Sequence, residues 1–365
     1  MRVIHVAPIP FGPSGMLGGG ERYPIELARA LAQHIETELI SFGRFPERRR
    51  EPGGLWIRTI RPLTTLHHHP AHSFAPSLIT ALAHADIVHT HHMRSTPSRL
   101  AAMAARARRR GAVVTDHGLQ GGNWGGLLQR LFQRFLTVSA YSALELQAPP
   151  ERTQVIYGGA DPRRFYPDET IRRNGVLFVG RLTPHKGVDR LLAALPQGAR
   201  LRIAGSSGHD RKPPERDYPL LLRRLAAGRE VEFLGAVPDS LLPDLYRHAS
   251  VLVLPSVERT CYGRSIRVSE LLGLVVLEAM ASGTPVICSR LGGLPEVVQD
   301  GITGFLVEPG NIEELRERIA ELVGNPALAS RLGNNARDLA LDRFTWQACA
   351  ERCLSVYEGL RAEGY

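Results

Sequence analysis

Short apolar runs alternate along the chain with longer segments in which apolar residues recur at helical spacing. The run RVIHVAP is followed by GERYPIELARALAQH, where Ile25, Ala28, Leu31 and Ala32 fall on one helical face. Further strand-like runs are TELISFG, IVHTHH, AVVTDHG, FLTVSAYS and TQVIYGGAD. Glycine-rich turns separate these runs from the helical segments, and the alternation predicts parallel sheets with helices on both faces.

A second series of the same kind begins at NGVLFVGRL and ends with the helical pattern EELRERIAELV. The stretch between the two series, VIYGGADPRRFYPDETIRRN, is rich in proline, glycine and charge, which is typical of a connection. We therefore predict two Rossmann-like, doubly wound α/β domains, residues 1–165 and 166–345, and expect the last helix, 346–365, to cross back onto the first. Because ligands of open α/β sheets bind at the carboxyl ends of strands, two such domains facing each other would form a binding cleft.

Composition and charge narrow the class of partner. The 365 residues are 43% hydrophobic and 22% charged, which is typical of globular domains. Lys and Arg outnumber Asp and Glu by 45 to 36, and the net charge of +9 favours phosphates, nucleic acid or an anionic membrane surface. We recognise no nucleic-acid-binding module and expect no nucleic acid partner. The apolar N-terminal run is too short for a signal peptide, and no run approaches the roughly 18 apolar residues of a spanning helix.

The four cysteines, Cys261, Cys288, Cys349 and Cys353, show no zinc-site spacing. We expect them to be reduced in a cytoplasmic protein. Cys349 and Cys353 stand at positions i and i+4 of a predicted helix, and there we favour packing over a redox pair.

The segment FGPSGMLGGGER places three glycines, Gly18 to Gly20, between the first strand and the first helix. Glycines let a backbone approach a phosphate closely, and a helix N-terminus offers unbonded N–H groups to it. No GK[ST] follows, and the spacing is not G-x-G-x-x-G. The segment alone therefore fits a flexible turn as well as a phosphate cradle.

The segment FVGRLTPHKGVDRLL places Arg181 one glycine after a strand and Lys186 at the start of the next helix. A guanidinium can bind two phosphate oxygens, and an ammonium adds a point charge. Two cations at one end of a sheet suit a diphosphate, and we favour that role over a solvated loop.

The segment ELLGLVVLEAM carries two carboxylates, Glu270 and Glu278, around an apolar run. Gly273 predicts a turn and Gly283 a helix C-terminal cap, so Glu270 lies in a loop and Glu278 early in the following helix. On one continuous helix the two would be offset by about 80°, so they are not a pair on one face. No cluster of His, Cys or Asp surrounds them, and we predict no metal site.

Segment 251–298 resembles retaining glycosyltransferases of family 4, which have the two-domain GT-B fold. Glu270 and Glu278 match the E-x7-E motif of that family, and GRLTPHKG is similar to its G-R-L-x-x-x-K-G phosphate motif. VIYGGADPRRFYP resembles the interdomain pattern V-I-x-N-G-V-D-x-x-x-F, with Gly158 where Asn is usual, and ASGTPVICSRLGGLPEVVQDGITGFLVEPGN matches the tail. The resemblance spans nearly the whole chain and is looser in the first domain, which binds the acceptor in this family.

The resemblance implies roles for the residues around the two glutamates. Glu278 would accept hydrogen bonds from the ribose hydroxyls of a sugar nucleotide. Glu270 would orient the donor sugar. The backbone N–H groups of Gly273, Leu274 and Val275 would meet hydroxyls of the sugar or the diphosphate.

The resemblance also implies roles for residues outside that segment. Arg181 and Lys186 would hold the diphosphate and stabilise the charge that develops on it. Gly19 and Gly20 would let the first domain close on that diphosphate. His117, in VVTDHGL, matches the histidine that lies near the donor sugar in this family.

The implied reaction transfers a sugar, most simply a hexose, from UDP or GDP to a hydroxyl on a glycan, a lipid-linked molecule or a small molecule. Configuration would be retained without a metal or other cofactor, because the departing phosphate can take the acceptor proton on the same face. A sugar-nucleotide epimerase, a phosphorylase and a non-catalytic nucleotide-sugar-binding subunit are alternatives on the same fold.

The loop before Glu270 is longer than in most relatives. The segment VERTCYGRSIRVS (257–269) lies there, with Glu258 and three arginines. We retain Glu270 as the first glutamate because Gly273 and Glu278 keep the family spacing. The inserted residues either contact donor or acceptor or form a solvated loop.

Two further segments leave alternatives open. LLQRLFQRFL (127–136) has Leu, Phe and Arg at helical spacing, so it could lie on an anionic membrane at the inner face, although we favour a helix packed on the first sheet. The histidines at positions 67, 68, 69 and 72 could bind a metal adventitiously, and there we favour a flexible loop.

Overall fold

The computed structural model of the chain describes residues 1–8, 18–117, 127–207 and 215–365. These residues form two compact units: unit 1 is Met1–Gly158 together with Trp346–Tyr365, and unit 2 is Gly159–Thr345. The sequence prediction placed the boundary after residue 165, whereas the structure divides the chain within the glycine pair of VIYGGAD.

The elements of the first part of the chain, in order, are β1 (Arg2–Val6), α1 (Gly19–Leu31), β2 (Glu36–Phe42), β3 (Glu47–Arg50), β4 (Trp56–Ile60), β5 (Thr64–Thr65), β6 (Ser73–Phe74), α2 (Ser77–Ala81), β7 (Ile87–His91), α3 (Thr96–Ala107), β8 (Gly111–Thr115), β9 (Arg134–Thr137), α4 (Ala140–Glu145) and β10 (Thr153–Val155). The remaining elements are β11 (Val176–Val179), α5 (Val188–Ala194), β12 (Leu201–Ala204), α6 (Tyr218–Leu225), β13 (Val231–Gly235), α7 (Leu242–His248), β14 (Val251–Leu254), α8 (Leu274–Ala281), β15 (Val286–Ser289), α9 (Leu294–Val297), β16 (Gly304–Val307), α10 (Ile312–Gly324), α11 (Pro326–Arg343) and α12 (Trp346–Ala362).

The main sheet of unit 1 has the strand order β10-β9-β8-β7-β1-β2-β4-β3. Its strands are parallel except for the edge strand β3, which pairs antiparallel with β4. Helix α12 packs against α1 and contacts β8, so the last helix belongs to this unit. The strand order reverses between β1 and β7, and loops leaving the carboxyl ends of strands at such a point diverge and leave room for a ligand.

The sheet of unit 2 has the order β13-β12-β11-β14-β15-β16 and is entirely parallel, which is the strand order of a Rossmann fold. All four residues of β14 are at most 2% exposed. A parallel strand covered by helices on both faces is apolar throughout, which explains why VLVL does not alternate. The predicted doubly wound α/β class is therefore confirmed in both units.

The helix predicted at residues 127–136 is wrong. The chain forms a 3₁₀ turn at Leu127–Leu131 and then strand β9. Phe132 and Phe135 are 1% and 0% exposed, and Leu128 and Leu131 pack against the same core. Four apolar side chains at helical spacing, Leu128, Leu131, Phe132 and Phe135, are thus divided between a turn and the region of a strand, and all of them pack on the core of unit 1. Among the helices of the described segments, none combines the length and apolarity that crossing a bilayer requires.

Arg173, in the connection that leads into β11, ties that connection to the elements around α8. Its guanidinium donates to Thr284 Oγ1 at 2.5 Å, to the Ser282 carbonyl at 2.8 Å and to the Ala249 carbonyl at 3.3 Å. Hydrogen bonds from a charged donor are stronger than neutral ones, and their loss leaves partly buried acceptors unpaired.

We expect Arg173→Ala to lower the free energy of unfolding by about 2–4 kcal/mol, because the acceptors on Thr284, Ser282 and Ala249 lose a charged donor. Urea denaturation measures this change. Arg172→Ala is the matched control, since Arg172 is exposed and next in the chain, and it should change stability by less than about 0.5 kcal/mol. Equal losses in the two variants would contradict this account of the connection.

Candidate functional site

The strand order of unit 2 reverses between β11 and β14, and most of the predicted donor-site residues of this unit lie on the loops that follow these two strands. Gly180 and Arg181 follow β11, while Pro255 and Ser256 follow β14 and lead to Glu270. The carboxyl edge at a reversal of strand order is where open α/β sheets bind ligands. The candidate site therefore occupies the position that the topology makes available.

Lys186 and Glu270 form an ion pair at this edge. The Lys186 ammonium donates to Glu270 Oε1, and the Ser256 hydroxyl donates to the same oxygen at 2.9 Å. The two charged side chains are only 15% and 8% exposed. Sequence reasoning assigned Lys186 to a phosphate and Glu270 to a sugar, and the structure brings them into direct contact.

Two glycines permit the chain to fold tightly around this pair. Gly187 has φ +68°, and a Cβ there would lie 1.9 Å from the Pro255 carbonyl oxygen. Gly292 has φ +61°, and a Cβ there would lie 2.0 Å from the Glu270 carbonyl oxygen. Any side chain at either position would displace the backbone. This steric constraint explains why a glycine follows Lys186 in the phosphate motif.

Glu278 lies on α8 and is 2% exposed. Tyr246, on α7, donates its hydroxyl to Glu278 Oε2 at 2.8 Å and is itself fully buried. The tyrosine holds the carboxylate in one orientation, which favours a fixed set of hydrogen-bond acceptors. Sequence reasoning missed Tyr246 because 32 residues separate the two partners and no local pattern links them.

The residues between the two glutamates form the start of α8. Gly273 is the N-cap with φ +89°, and Leu274 is the first helical residue. The first amides of a helix have no acceptor within it, and the dipole makes this end positive. The N–H groups of Gly273, Leu274 and Val275 are therefore suited to an anion or to hydroxyl oxygens. As the sequence predicted, Glu270 lies in the loop before the helix and Glu278 lies in the helix.

Arg181 is exposed, and beside it lies a histidine that the sequence reasoning did not select. Burial, together with the charges of Lys186, Arg181 and Arg264, lowers the pKa of His185 to about 3. His185 is therefore neutral at physiological pH. Its position between the two predicted phosphate ligands in GRLTPHKG was the available signal.

The inserted segment 257–269 is a short hairpin. Arg259 and Ser265 form an antiparallel bridge, and the Ile266 N–H donates to the Glu258 carbonyl at 2.7 Å. Within the hairpin Thr260 is buried, while the three arginines are exposed. Arg264 forms an ion pair with Glu215 at 2.9 Å. The insertion is thus a folded surface element that ends at Glu270.

The predicted site residues of unit 1 are also neighbours. Gly19 and Gly20 begin α1, and a Cβ at Gly20 would lie 3.6 Å from the Cβ of His117. The rest of the glycine-rich segment falls in residues 9–17, outside the described part of the chain. Burial and the nearby His92 lower the pKa of His117, and the Asp116 charge opposes this.

Sequence reasoning missed a cluster of histidines that accompanies His117. His5 Nδ1 lies 3.1 Å from His91 Nε2, and His91 Nδ1 lies 3.0 Å from His117 Nε2. Ring nitrogens of His5, His89 and His91 lie within 4.8 Å of one another, which is the one metal-compatible grouping found in the described segments. The predicted adventitious site around residue 67–72 is not that grouping, and His72 there is instead 8% exposed and bonded to Thr96. The signal was the alternation of histidines in RVIHV and IVHTHH, on adjacent strands.

All four cysteines are free thiols, and Cys349 and Cys353 are fully buried on α12. Cys349 Sγ lies 3.2 Å from the Tyr23 hydroxyl, so it packs and hydrogen-bonds within unit 1. This arrangement agrees with the packing interpretation of the pair.

We expect Lys186→Met to destabilise unit 2 by about 3–5 kcal/mol, because Glu270 is left as an unpaired, buried charge. Adding Glu270→Gln in the same chain should restore a large part of the loss, since the remaining groups are neutral. A double-mutant cycle from urea unfolding measures the coupling. The exposed pair of Arg200 with Glu232 is the control, and Arg200→Met should lower stability by less than about 1 kcal/mol. A double variant no more stable than Lys186→Met would contradict the pairing.

Comparison with known proteins identifies the family of the chain. The profile of the family Glycosyl transferases group 1 matches residues 166–339, and that of Glycosyltransferase Family 4 matches residues 17–164. D-inositol 3-phosphate glycosyltransferase of Streptomyces bingchenggensis (strain BCW-1) is 30% identical over 417 residues, which cover 98% of this chain and 88% of that protein. An uncharacterized glycosyltransferase of Methanocaldococcus jannaschii, MJ1607, is 32% identical over 230 residues, which cover 58% of this chain and 55% of that protein.

A solved structure shares the fold over nearly the whole chain. Alr3699/HepE of Anabaena, in complex with UDP and glucose, superposes with a TM-score of 0.75 at 20% identity and covers 97% of this chain and 99% of its own. The two profiles together account for both units. The chain therefore belongs to the family 4 glycosyltransferases of GT-B fold and is an enzyme that transfers a sugar from a nucleotide sugar.

Proposed function

We propose that this enzyme is a retaining, metal-independent hexosyltransferase that uses a UDP- or GDP-linked sugar and a hydroxyl acceptor. The observation that carries the proposal is the Lys186–Glu270 pair at the β11–β14 reversal, where a cation and a carboxylate share one strand edge. The cation can bind the negatively charged diphosphate, and the carboxylate can accept a hydrogen bond from a sugar hydroxyl. The Anabaena structure of the same fold is a complex with UDP and glucose, which supports such a donor.

The donor would be held mainly by unit 2. Glu278, oriented by Tyr246, accepts hydrogen bonds from both ribose hydroxyls, each worth about 1.5–3 kcal/mol. Glu270 accepts from the sugar, and the N–H groups at the start of α8 meet the sugar or the diphosphate. Arg181, which is exposed, binds phosphate oxygens with its planar guanidinium.

Lys186 can serve two partners at once. An ammonium has three N–H donors, so it can keep its bond to Glu270 while a second donor reaches a phosphate oxygen. Its position on a tight turn, fixed by Gly187, limits the movement that this requires. The pair therefore connects the group that orients the sugar with the group that stabilises its leaving phosphate.

In the proposed reaction the bond between the anomeric carbon and the diphosphate oxygen breaks first, with negative charge developing on the phosphate. Arg181 and Lys186 stabilise that charge. The acceptor hydroxyl attacks from the face that the diphosphate leaves, and its proton passes to a phosphate oxygen. The new glycosidic bond therefore has the configuration of the donor, and no metal is needed to neutralise the leaving group.

Unit 1 would supply the acceptor site in this proposal, together with His117 near the donor sugar and Gly19 and Gly20 near the diphosphate. The relative from Streptomyces is named for D-inositol 3-phosphate. We therefore place inositol 3-phosphate first in an acceptor panel that also holds simple glycosides and lipid-linked sugars.

We expect the product of UDP-glucose or GDP-mannose with an accepted hydroxyl to keep the anomeric configuration of the donor, and turnover to persist in EDTA. Proton NMR of the product reads the anomeric coupling, and release of free nucleoside diphosphate reads turnover. Donor consumed without acceptor and converted to its epimer would instead show an epimerase. Inversion, or loss of activity in EDTA that Mg²⁺ restores, would refute the mechanism.

Tyr246→Phe should raise the KM for the donor by about 5-fold with little change in kcat, because the carboxylate of Glu278 loses one orienting hydrogen bond. Glu278→Gln should raise it by about 10-fold or more, since a charged acceptor is lost. Tyr166→Phe is the matched control, because that tyrosine is exposed. Unchanged donor KM in both site variants would exclude Glu278 as the ribose ligand.

A further inference from the structure

Four histidines lie on one face of the unit 1 sheet, at the carboxyl ends of three adjacent strands. His5 of β1 is paired in register with His89 of β7, and His91 follows two residues later on the same face. His117 follows β8, two residues after Thr115, which pairs with His91. His5, His89 and His91 have no exposed surface, while His117 is partly exposed.

Three of these rings form a chain of hydrogen bonds. His5 Nδ1 bonds His91 Nε2 at 3.1 Å, and His91 Nδ1 bonds His117 Nε2 at 3.0 Å. His89 is held separately, with Nδ1 2.6 Å from the Tyr357 hydroxyl and Nε2 2.7 Å from the Thr115 hydroxyl. This series of hydrogen bonds thus runs from the dry interior at His5 to the partly exposed ring of His117.

The three hydrogen-bonded rings, those of His5, His91 and His117, are neutral. Burial lowers the pKa of His5 to about 3 and those of His91 and His117 well below the ordinary value. A neutral imidazole has one N–H donor and one bare acceptor nitrogen. Two hydrogen bonds among three such rings can therefore be satisfied in only two ways, with every proton on the Nδ1 side or every proton on the Nε2 side.

The two patterns differ in the tautomer of all three rings, and they place the free N–H group at opposite ends of the series. In the first, the terminal proton is on His117 Nδ1, and in the second it is on His5 Nε2. Within the described residues His5 Nε2 is buried and has no hydrogen-bond partner, so a proton there would be a buried donor without an acceptor. At the other end His117 is partly exposed, so a proton on its Nδ1 is not confined to the dry interior. The first pattern is favoured at both ends.

We infer that His5 and His91 are positioning residues that fix the proton of His117 on Nδ1, so that His117 donates a hydrogen bond to an oxygen of the donor sugar. The inference rests on the proposed function for the identity of that oxygen, but the tautomer itself is a property of the free protein. A ring fixed in this way is a donor and not a general base. The acceptor proton then goes to the leaving phosphate.

The tautomer can be measured directly without substrate. Protein labelled with ¹⁵N-histidine gives long-range ¹H–¹⁵N correlations that distinguish Nδ1–H from Nε2–H rings, and the His117 signals are those missing in His117→Gln. We expect His117 to be in the Nδ1–H form. A His117 ring in the Nε2–H form overturns the inference whether or not the enzyme transfers a sugar.

A variant separates positioning from packing. His91→Phe removes both inter-ring bonds, and we expect His117 to shift to a mixture of tautomers and the donor KM to rise about 5- to 10-fold. His91→Gln, whose amide has both a donor and an acceptor, should recover part of the loss. His89→Gln is the control from outside the chain and should leave the His117 tautomer unchanged. A pure Nδ1–H ring in folded His91→Phe contradicts the role of His91.

UDP lacks the sugar that is transferred. Its affinity should therefore be equal in wild type and His91→Phe. Failure of both UDP and GDP to bind wild-type protein would refute the proposed function and leave the tautomer result standing. Metal analysis of the purified protein is the last arm. One equivalent of zinc that is lost in His5→Phe would make His5, His89 and His91 metal ligands and would overturn the hydrogen-bonded chain.

Discussion

A buried ion pair between Lys186 and Glu270 joins the segments that follow β11 and β14. The sheet of unit 2 reverses its strand order between these two strands. Removing two charges from water costs several kcal/mol per ion, and attraction between them often does no more than offset that cost. Such a pair is poor evidence for a stabilising role. The Ser256 hydroxyl and two close-packed glycines, Gly187 and Gly292, hold it in place, which is the arrangement expected where charged groups serve a ligand.

Unit 1 places polar groups at the corresponding position of its own sheet. The reversal between β1 and β7 carries His5, His89 and His91 where most parallel strands carry Val, Ile or Leu. The rings avoid an unsatisfied interior by bonding one another and hydroxyls of neighbouring elements. In both units, therefore, an apolar strand becomes polar at its carboxyl end, and the rest of each sheet supports that change with a dry core.

The sequence predicted the fold correctly, because the fold depends on local pattern, and the same kind of pattern is the source of the proposed site residues. Alternation of strands and helices indicated two doubly wound domains, and glycines at fixed offsets marked the turns around Lys186 and Gly273. Tyr246 could not be found in this way, because its bond to Glu278 spans 32 residues and depends on how α7 packs on α8. The segment 127–136 shows the opposite error, since apolar residues at helical spacing fill two different inward-facing elements.

The residues that we assign to the reaction bear on where the acceptor proton goes in the proposed mechanism. Glu270 accepts from an ammonium and Glu278 from a phenol, so both carboxylates already serve as hydrogen-bond acceptors for the protein. His185 and His117 are kept neutral by burial, and a nitrogen with a low pKa is a weak base. The oxygen that becomes more basic as the reaction proceeds is that of the departing phosphate. The proposed retention agrees with this, because in the proposed reaction the oxygen that takes the proton lies on the face from which the diphosphate leaves.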